Sequence, residues 1–160
     1  MMSTANMNTQ ETLHETAPAQ DAAANRLAEM EAARAFVRGK RFVIVEDDAM
    51  FSEALCGALT MLGGKVDCFD SAELALQHPA IADADCYIVD YMLNGDVDGI
   101  NFLLSLQQKR QKPVCAVMLS GNTSHYFVRM AEFFDCPVLH KPVSLSKLIL
   151  QLSDQYDHRA

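Results

Sequence analysis

The chain has 160 residues, half of them hydrophobic, and 21 Asp and Glu against 13 Lys and Arg give a formal net charge of −8. Length and apolar content fit one folded domain with some chain to spare. The acidic balance, without any run of Lys and Arg, argues against direct nucleic-acid binding, and no apolar run approaches the ~20 residues that a membrane-spanning helix needs.

Residues 1–39 stand apart as an N-terminal extension. The opening stretch MMSTANMNTQETLHETAPAQ is polar and nearly free of large apolar side chains, the composition of a disordered segment. It lacks the basic-then-apolar pattern of a secretory signal. After Pro18, DAAANRLAEMEAARAFVRGK favours helix. Ala23, Leu27, Met30, Arg34 and Val37 recur at helical spacing and Gly39 is a natural stop. Two readings of this helix stay open: a solvated or loosely docked helix, and one that joins a homodimer or binds a partner.

From Lys40 a regular alternation sets in. RFVIV reads as a strand and AMFSEALCGALTML as a helix closed by Gly63-Gly64. KVDCF is strand-like, and SAELALQH is a short helix with Ser71 as N-cap, ended by Pro79. CYIV is a strand, GINFLLSLQQK a helix, VCAVML a strand, and TSHYFVRMAEFF a helix. PVLH is a short strand and SLSKLILQLSDQY a last amphipathic helix. Five strands alternating with helices predict an α/β domain over residues 40–158, a parallel sheet covered on both faces. Cys56, Cys68, Cys86, Cys115 and Cys136 are odd in number, widely spaced and free of any CxxC pair. They read as reduced core thiols of a cytoplasmic protein.

The polar residues fall where such a sheet makes them meet. The first apolar run ends in Glu46-Asp47-Asp48, the third in Asp90, the fourth in Ser120, and the fifth in His140-Lys141. In an open α/β sheet the carboxyl ends of the strands share one edge, where ligands bind. Three carboxylates, Glu46, Asp47 and Asp90, within ~5 Å of one another repel by about 3 kcal/mol per pair at an effective dielectric of ~20. A cation offsets that, and hard oxygen ligands near solvent suit Mg²⁺. A divalent cation with a lysine and a hydroxyl is a constellation for holding a phosphoryl group. Asp90 is then the candidate nucleophile, with Lys141 and Ser120 on the phosphoryl oxygens. Singly, each element is commonplace: a strand-end Asp is usually a cap or a solvated turn, and Ser-Gly is usually a loop. The combination, in this order, is what points to the chemistry.

With VEDD (Glu46, Asp47), VDYML (Asp90), MLSG (Ser120) and HKPVS (Lys141, Pro142) on the page, the sequence resembles the receiver domain of two-component response regulators over about Lys40 to Tyr156. The separations fit as well: 43 residues from Asp47 to Asp90, 30 from Asp90 to Ser120 and 21 from Ser120 to Lys141. The resemblance implies a flavodoxin-like, doubly wound sheet of order 2-1-3-4-5. It implies phosphoryl transfer to Asp90 from a sensor histidine kinase or histidine phosphotransfer protein. Mg²⁺ would be held by Glu46, Asp47, Asp90 and the backbone carbonyl of Met92, with Lys141 and Ser120 on the phosphoryl group. It further implies a cis Lys141–Pro142 bond and a downstream protein target, in a chain without an output domain. Beyond its own phosphorylation and dephosphorylation, no enzyme activity is implied.

The sequence departs from the family in two places. Val138 stands where an aromatic switch residue is usual, and the loop YMLNGDVDG looks one residue longer than usual. Met92, two residues after Asp90, either packs over the pocket or shields the phosphoryl group from water. Rival readings have less support. A pseudo-receiver that binds without phosphorylation would not need all five key positions. A haloacid-dehalogenase-like phosphatase wants an Asp where Met92 stands. A flavodoxin would not place Glu46-Asp47-Asp48 against a flavin phosphate. The histidines, His14, His78, His125, His140 and His158, read as surface residues.

Overall fold

The computed structural model describes residues 17–121, Glu132 and residues 135–159. The opening residues, and the helix expected over 123–134 with His125, lie outside them but for Glu132. The strands are short runs of β-branched and aromatic residues, the side chains that suit a pleated, buried surface. They are β1 (Arg41–Val45), β2 (Lys65–Phe69), β3 (Cys86–Asp90), β4 (Ala116–Ser120) and β5 (Val138–His140). Among the described residues they form one parallel sheet in the order β2-β1-β3-β4-β5. The helices are α1 (Ala17–Val37), α2 (Ala49–Met61), α3 (Ala72–Gln77), α4 (Gly99–Arg110) and α5 (Leu145–Arg159). A short 3₁₀ turn, Ile81–Asp83, precedes β3. No described helix is long and apolar enough to cross a membrane.

Alternation along the strands divides the core in two. Val43, Val45, Tyr87, Val89, Ala116 and Met118 face one side, where Ala72 and Ala75 of α3 and Phe102, Leu103 and Leu106 of α4 cover them. Phe42, Ile44, Cys86, Ile88, Val117 and Leu119 face the other, under Leu55 and Leu59 of α2 and Leu148, Ile149 and Leu152 of α5. Both faces being covered, β3 and β4 are buried at every position, which is why their sequences read as unbroken apolar runs. β2 lies at the edge and is only partly covered. Cys68 on that strand is therefore exposed and Cys56 half-buried, whereas Cys86, Cys115 and Cys136 are core thiols as expected.

The helix of the extension starts earlier than expected, at Ala17, with Pro18 in its first turn, where a missing N–H is tolerated. Its last turn docks. Val37 is fully buried, and Ala33 and Phe36 pack on the α2–α5 side of the core. The Phe36 ring meets Phe42 and Tyr156 edge-on, at centroid distances of 6.4 and 5.8 Å. The Lys40 ammonium lies 4.5 Å from the Phe36 centroid and 4.9 Å from that of Tyr156. Of the expected stripe, Val37 docks beside the Phe36 ring, whereas Leu27 and Met30 stay exposed. Phe36→Ala is expected to lower stability by about 2 kcal/mol, less than the roughly 3–5 kcal/mol of a fully buried ring. Urea unfolding of both proteins measures it as a lower midpoint at unchanged slope.

Candidate functional site

The sheet brings the sequence-selected residues to one edge. Glu46 follows β1 directly, and its N–H donates to the Phe69 carbonyl at 3.0 Å, extending the pairing with β2 by one residue. Asp90 is the last residue of β3. Ser120 ends β4, paired in register with His140 of β5, and Lys141 comes next. Glu46 is 2% exposed, Asp90 6% and Ser120 0%. Asp47 is half-buried. Carboxylate oxygens of Glu46, Asp47 and Asp90 lie within 4.8 Å of one another.

The local sequence fixes where these carboxylates point. Asp48 is the N-cap of α2 and accepts from the Phe51 N–H at 3.1 Å, so the chain turns sharply after Glu46. The Asp48 N–H donates back to Glu46 Oε1, also at 3.1 Å. Beyond Asp90, Asp98 caps α4 through the Asn101 N–H at 2.8 Å. Gly99 then passes so near the strand end that a Cβ there would lie 2.5 Å from the Asp90 carbonyl oxygen. Only glycine lets α4 start that close to the end of β3.

Lys141 holds the cluster together. Its Nζ donates to Glu46 Oε2 at 2.7 Å and lies 3.4 Å from Asp90 Oδ2. It also sits 4.7 Å from the centroid of the Phe51 ring. The Lys141 N–H donates to the Ser120 carbonyl at 2.9 Å, tying the ends of β4 and β5 together. The Lys141–Pro142 bond is cis, as expected. Burial pushes the Glu46 carboxyl above its usual range against the opposing pull of the Lys141 hydrogen bond. Burial also disfavours the Lys141 ammonium, but its carboxylate partners outweigh this and raise its pKa. With Glu46, Asp47 and Asp90 ionised and Lys141 protonated, the four side chains sum to −2, the charge one divalent cation balances. All-oxygen donors at the lip of a sheet are the ligands Mg²⁺ prefers, so these residues fit that ion.

Met92, selected for its backbone, has a largely exposed side chain. Its N–H is 3.4 Å from Asp90 Oδ1. Two residues that sequence reasoning passes over also take part. Phe51 lies beneath the lysine, one helical turn past the acidic tip. Glu73 of α3 accepts from the loop that follows Asp90. Phe51 was within reach of the sequence, as an aromatic at a fixed offset from VEDD. Glu73 carries no such signal, because its contact depends on how α3 lies against a loop some twenty residues on.

Lys141→Met removes the cation from a buried carboxylate, and is expected to destabilise the protein by about 1–3 kcal/mol at neutral pH with a chelator present. The sign of the pH dependence follows from Glu46. The deficit is full where Glu46 is ionised, above its raised pKa, and shrinks as pH falls through that pKa and the carboxyl becomes neutral. Urea unfolding of both proteins across the acid range measures it, and a deficit independent of pH would contradict the assignment.

Residues 42–153 match the family model described as the response regulator receiver domain. No curated protein matches the chain. Among solved structures, the signal receiver domain of a modulated diguanylate cyclase from Desulfovibrio desulfuricans G20 is 24% identical. It aligns over 75% of this chain and 95% of its own, with a TM-score of 0.67. A response regulator receiver protein from Sinorhizobium medicae WSM419 is 18% identical over 76% and 97% of the two chains, with a TM-score of 0.66. A CheY-like receiver domain protein from Methanospirillum hungatei JF-1 is 19% identical over 75% and 95%, with a TM-score of 0.64. At these identities the likeness establishes the fold. The family match spans most of the chain, and with it the chain belongs to the receiver domains of two-component response regulators.

Proposed function

We propose that the protein is a phosphorylation-dependent signalling switch, in which Asp90 accepts a phosphoryl group from the phosphohistidine of a sensor kinase or phosphotransfer protein. The observation that carries this reading is the convergence of three carboxylates with a lysine that bonds one of them at 2.7 Å and reaches a second at 3.4 Å. A site for a neutral ligand has no use for that much charge. Residues 40–158 form the receiver unit in this reading, and residues 1–39 an extension to it.

Glu46, Asp47 and Asp90, with the Met92 carbonyl, would hold Mg²⁺. Bound there, the ion neutralises charge on phosphoryl oxygens. An Asp90 carboxylate oxygen forms the new O–P bond as the donor's N–P bond breaks, and the electron pair of that bond returns to the imidazole. Lys141 moves its ammonium from the carboxylates towards the incoming oxygens, and Ser120 donates its hydroxyl to one of them. The product carries about −1.5 to −2 of added charge. Since the Lys141 N–H is bonded to the Ser120 carbonyl, a shift of either residue reaches both strand ends. That link offers a route to a protein target with Val138 in the aromatic's place.

Acetyl phosphate with Mg²⁺ is expected to add one phosphoryl group to the wild type, located at Asp90 by mass spectrometry. Asp90→Asn should take up none there, and omission of Mg²⁺ should abolish uptake. At 100 times its dissociation constant Mg²⁺ should stabilise the wild type by about 2.7 kcal/mol, and Asp47→Ala should lose most of that shift. Modification at another residue would refute the assignment of Asp90.

Met92 is the residue we place between Asp90 and bulk water. Met92→Asn is expected to shorten the phosphoryl half-life several-fold, followed as loss of the phosphorylated mass after the donor is removed. An unchanged half-life leaves Met92 without a shielding role.

A further inference from the structure

The eight-residue loop 91–98 joins Asp90 to α4, and it is tethered from two sides. On one side the Asn94 N–H donates to Asp47 Oδ2 at 3.0 Å. On the other, Glu73 reaches across from α3. Its Oε1 accepts from both the Asp96 N–H, at 3.0 Å, and the Val97 N–H, at 3.1 Å. The backbone conformation at position 95 favours glycine, and the Glu73 carboxylate approaches it closely. A Cβ there would lie 2.9 Å from Glu73 Oε1 and 3.1 Å from Oε2, and Gly95 has φ +125°, a conformation side chains rarely adopt. Glu73's own backbone N–H and those of Asp96 and Val97 hold its carboxyl below the usual range, so the tether is ionised at neutral pH. Leu93 and Val97 pack against the α3–α4 side of the core, which anchors the loop between the two polar tethers.

The two tethers differ in what else they do. Asp47 belongs to the carboxylate cluster, so a cation there competes with the Asn94 N–H for its carboxylate. Glu73 has no part in the cluster and stays free to hold the loop. We propose that Glu73 is a positioning residue for the metal site: by clamping Asp96 and Val97 against Gly95, it keeps the post-Asp90 loop folded so that the Met92 backbone is presented to the cation. This rests on the Mg²⁺-dependent reading above and adds to it a residue outside the acidic cluster. The clamp acts before any phosphoryl donor arrives, so it sets metal affinity rather than the rate at saturating metal.

The test is a Mg²⁺ titration of the full chain, followed by loop amide resonances, together with amide exchange at Asp96 and Val97 without metal. Glu73→Ala is expected to speed exchange at both amides and to raise the half-saturating Mg²⁺ concentration about tenfold, the order seen when groups orienting metal ligands are removed. Glu73→Gln keeps an acceptor oxygen and should recover part of the loss. Gly95→Ala, which pushes a methyl group into the carboxylate from the other side, should reproduce the Glu73→Ala effect. Phosphorylation by acetyl phosphate at saturating Mg²⁺ should return to near the wild-type rate in all three. Wild-type half-saturation in both Glu73→Ala and Gly95→Ala overturns the clamp and leaves the metal reading standing. A wild type with no response to Mg²⁺ overturns both. Should Glu73→Ala fail to fold, Glu73→Gln decides, since an unchanged half-saturation together with unchanged exchange rejects the clamp.

Discussion

The pairing of Lys141 with Glu46 is the contact on which the arrangement at the sheet edge depends. Like charges do not gather in a low-dielectric site without opposition, and three carboxylates meet at the tips of β1 and β3. Lys141 comes from β5, with β4 lying between it and β3 in the sheet. Its ammonium relieves one carboxylate directly and a second at longer range. Excess negative charge remains, and the same excess makes the site receptive to a divalent cation. Structure and chemistry thus share one electrostatic imbalance, which the fold sustains through packing supplied elsewhere.

That packing comes from two separate layers. The α3–α4 layer and the α2–α5 layer bury opposite faces of the same strands, leaving the strands little freedom to slide. A shift of one residue would turn each strand's apolar set to the wrong face. The register that places Asp90 beside Leu119 and Ser120 beside His140 is therefore set by the core, several residues away from the charges. The N-terminal helix adds a smaller contribution on the α5 side, where Phe36 closes over Phe42 and Tyr156. Most of its exposed length, including Leu27 and Met30, adds nothing to that core.

The loop that follows Asp90 is built differently from the strands. It holds its shape through carboxylates that accept backbone N–H groups, Asp47 on one flank and Glu73 on the other. Its apolar side chains Leu93 and Val97 pack against the α3–α4 layer between those two contacts.

Much of this was legible in the sequence. The strand–helix alternation, the Ser71 cap, and the carboxyl-edge placement of Glu46, Asp90, Ser120 and Lys141 follow from periodicity and from the geometry that parallel sheets share. Local signals of that kind survive translation into three dimensions because they depend on neighbours in the chain. Three features could be decided only by the folded chain. The docking of α1 uses Val37, the last residue of the apolar stripe, together with Phe36 beside it, and leaves Leu27 and Met30 exposed. The exposure of Cys68 depends on how much of edge strand β2 the helices leave uncovered, which the strand order alone does not give. Glu73 meets Asp96 and Val97 only because α3 and the loop pack side by side. The sequence by itself therefore determined the strands, the described helices and the place of Asp90 at the end of its strand, all governed by short-range pattern. The tertiary structure alone decided which distant groups hold that carboxylate's surroundings in place, because contacts between residues far apart in the chain exist only once the core has closed.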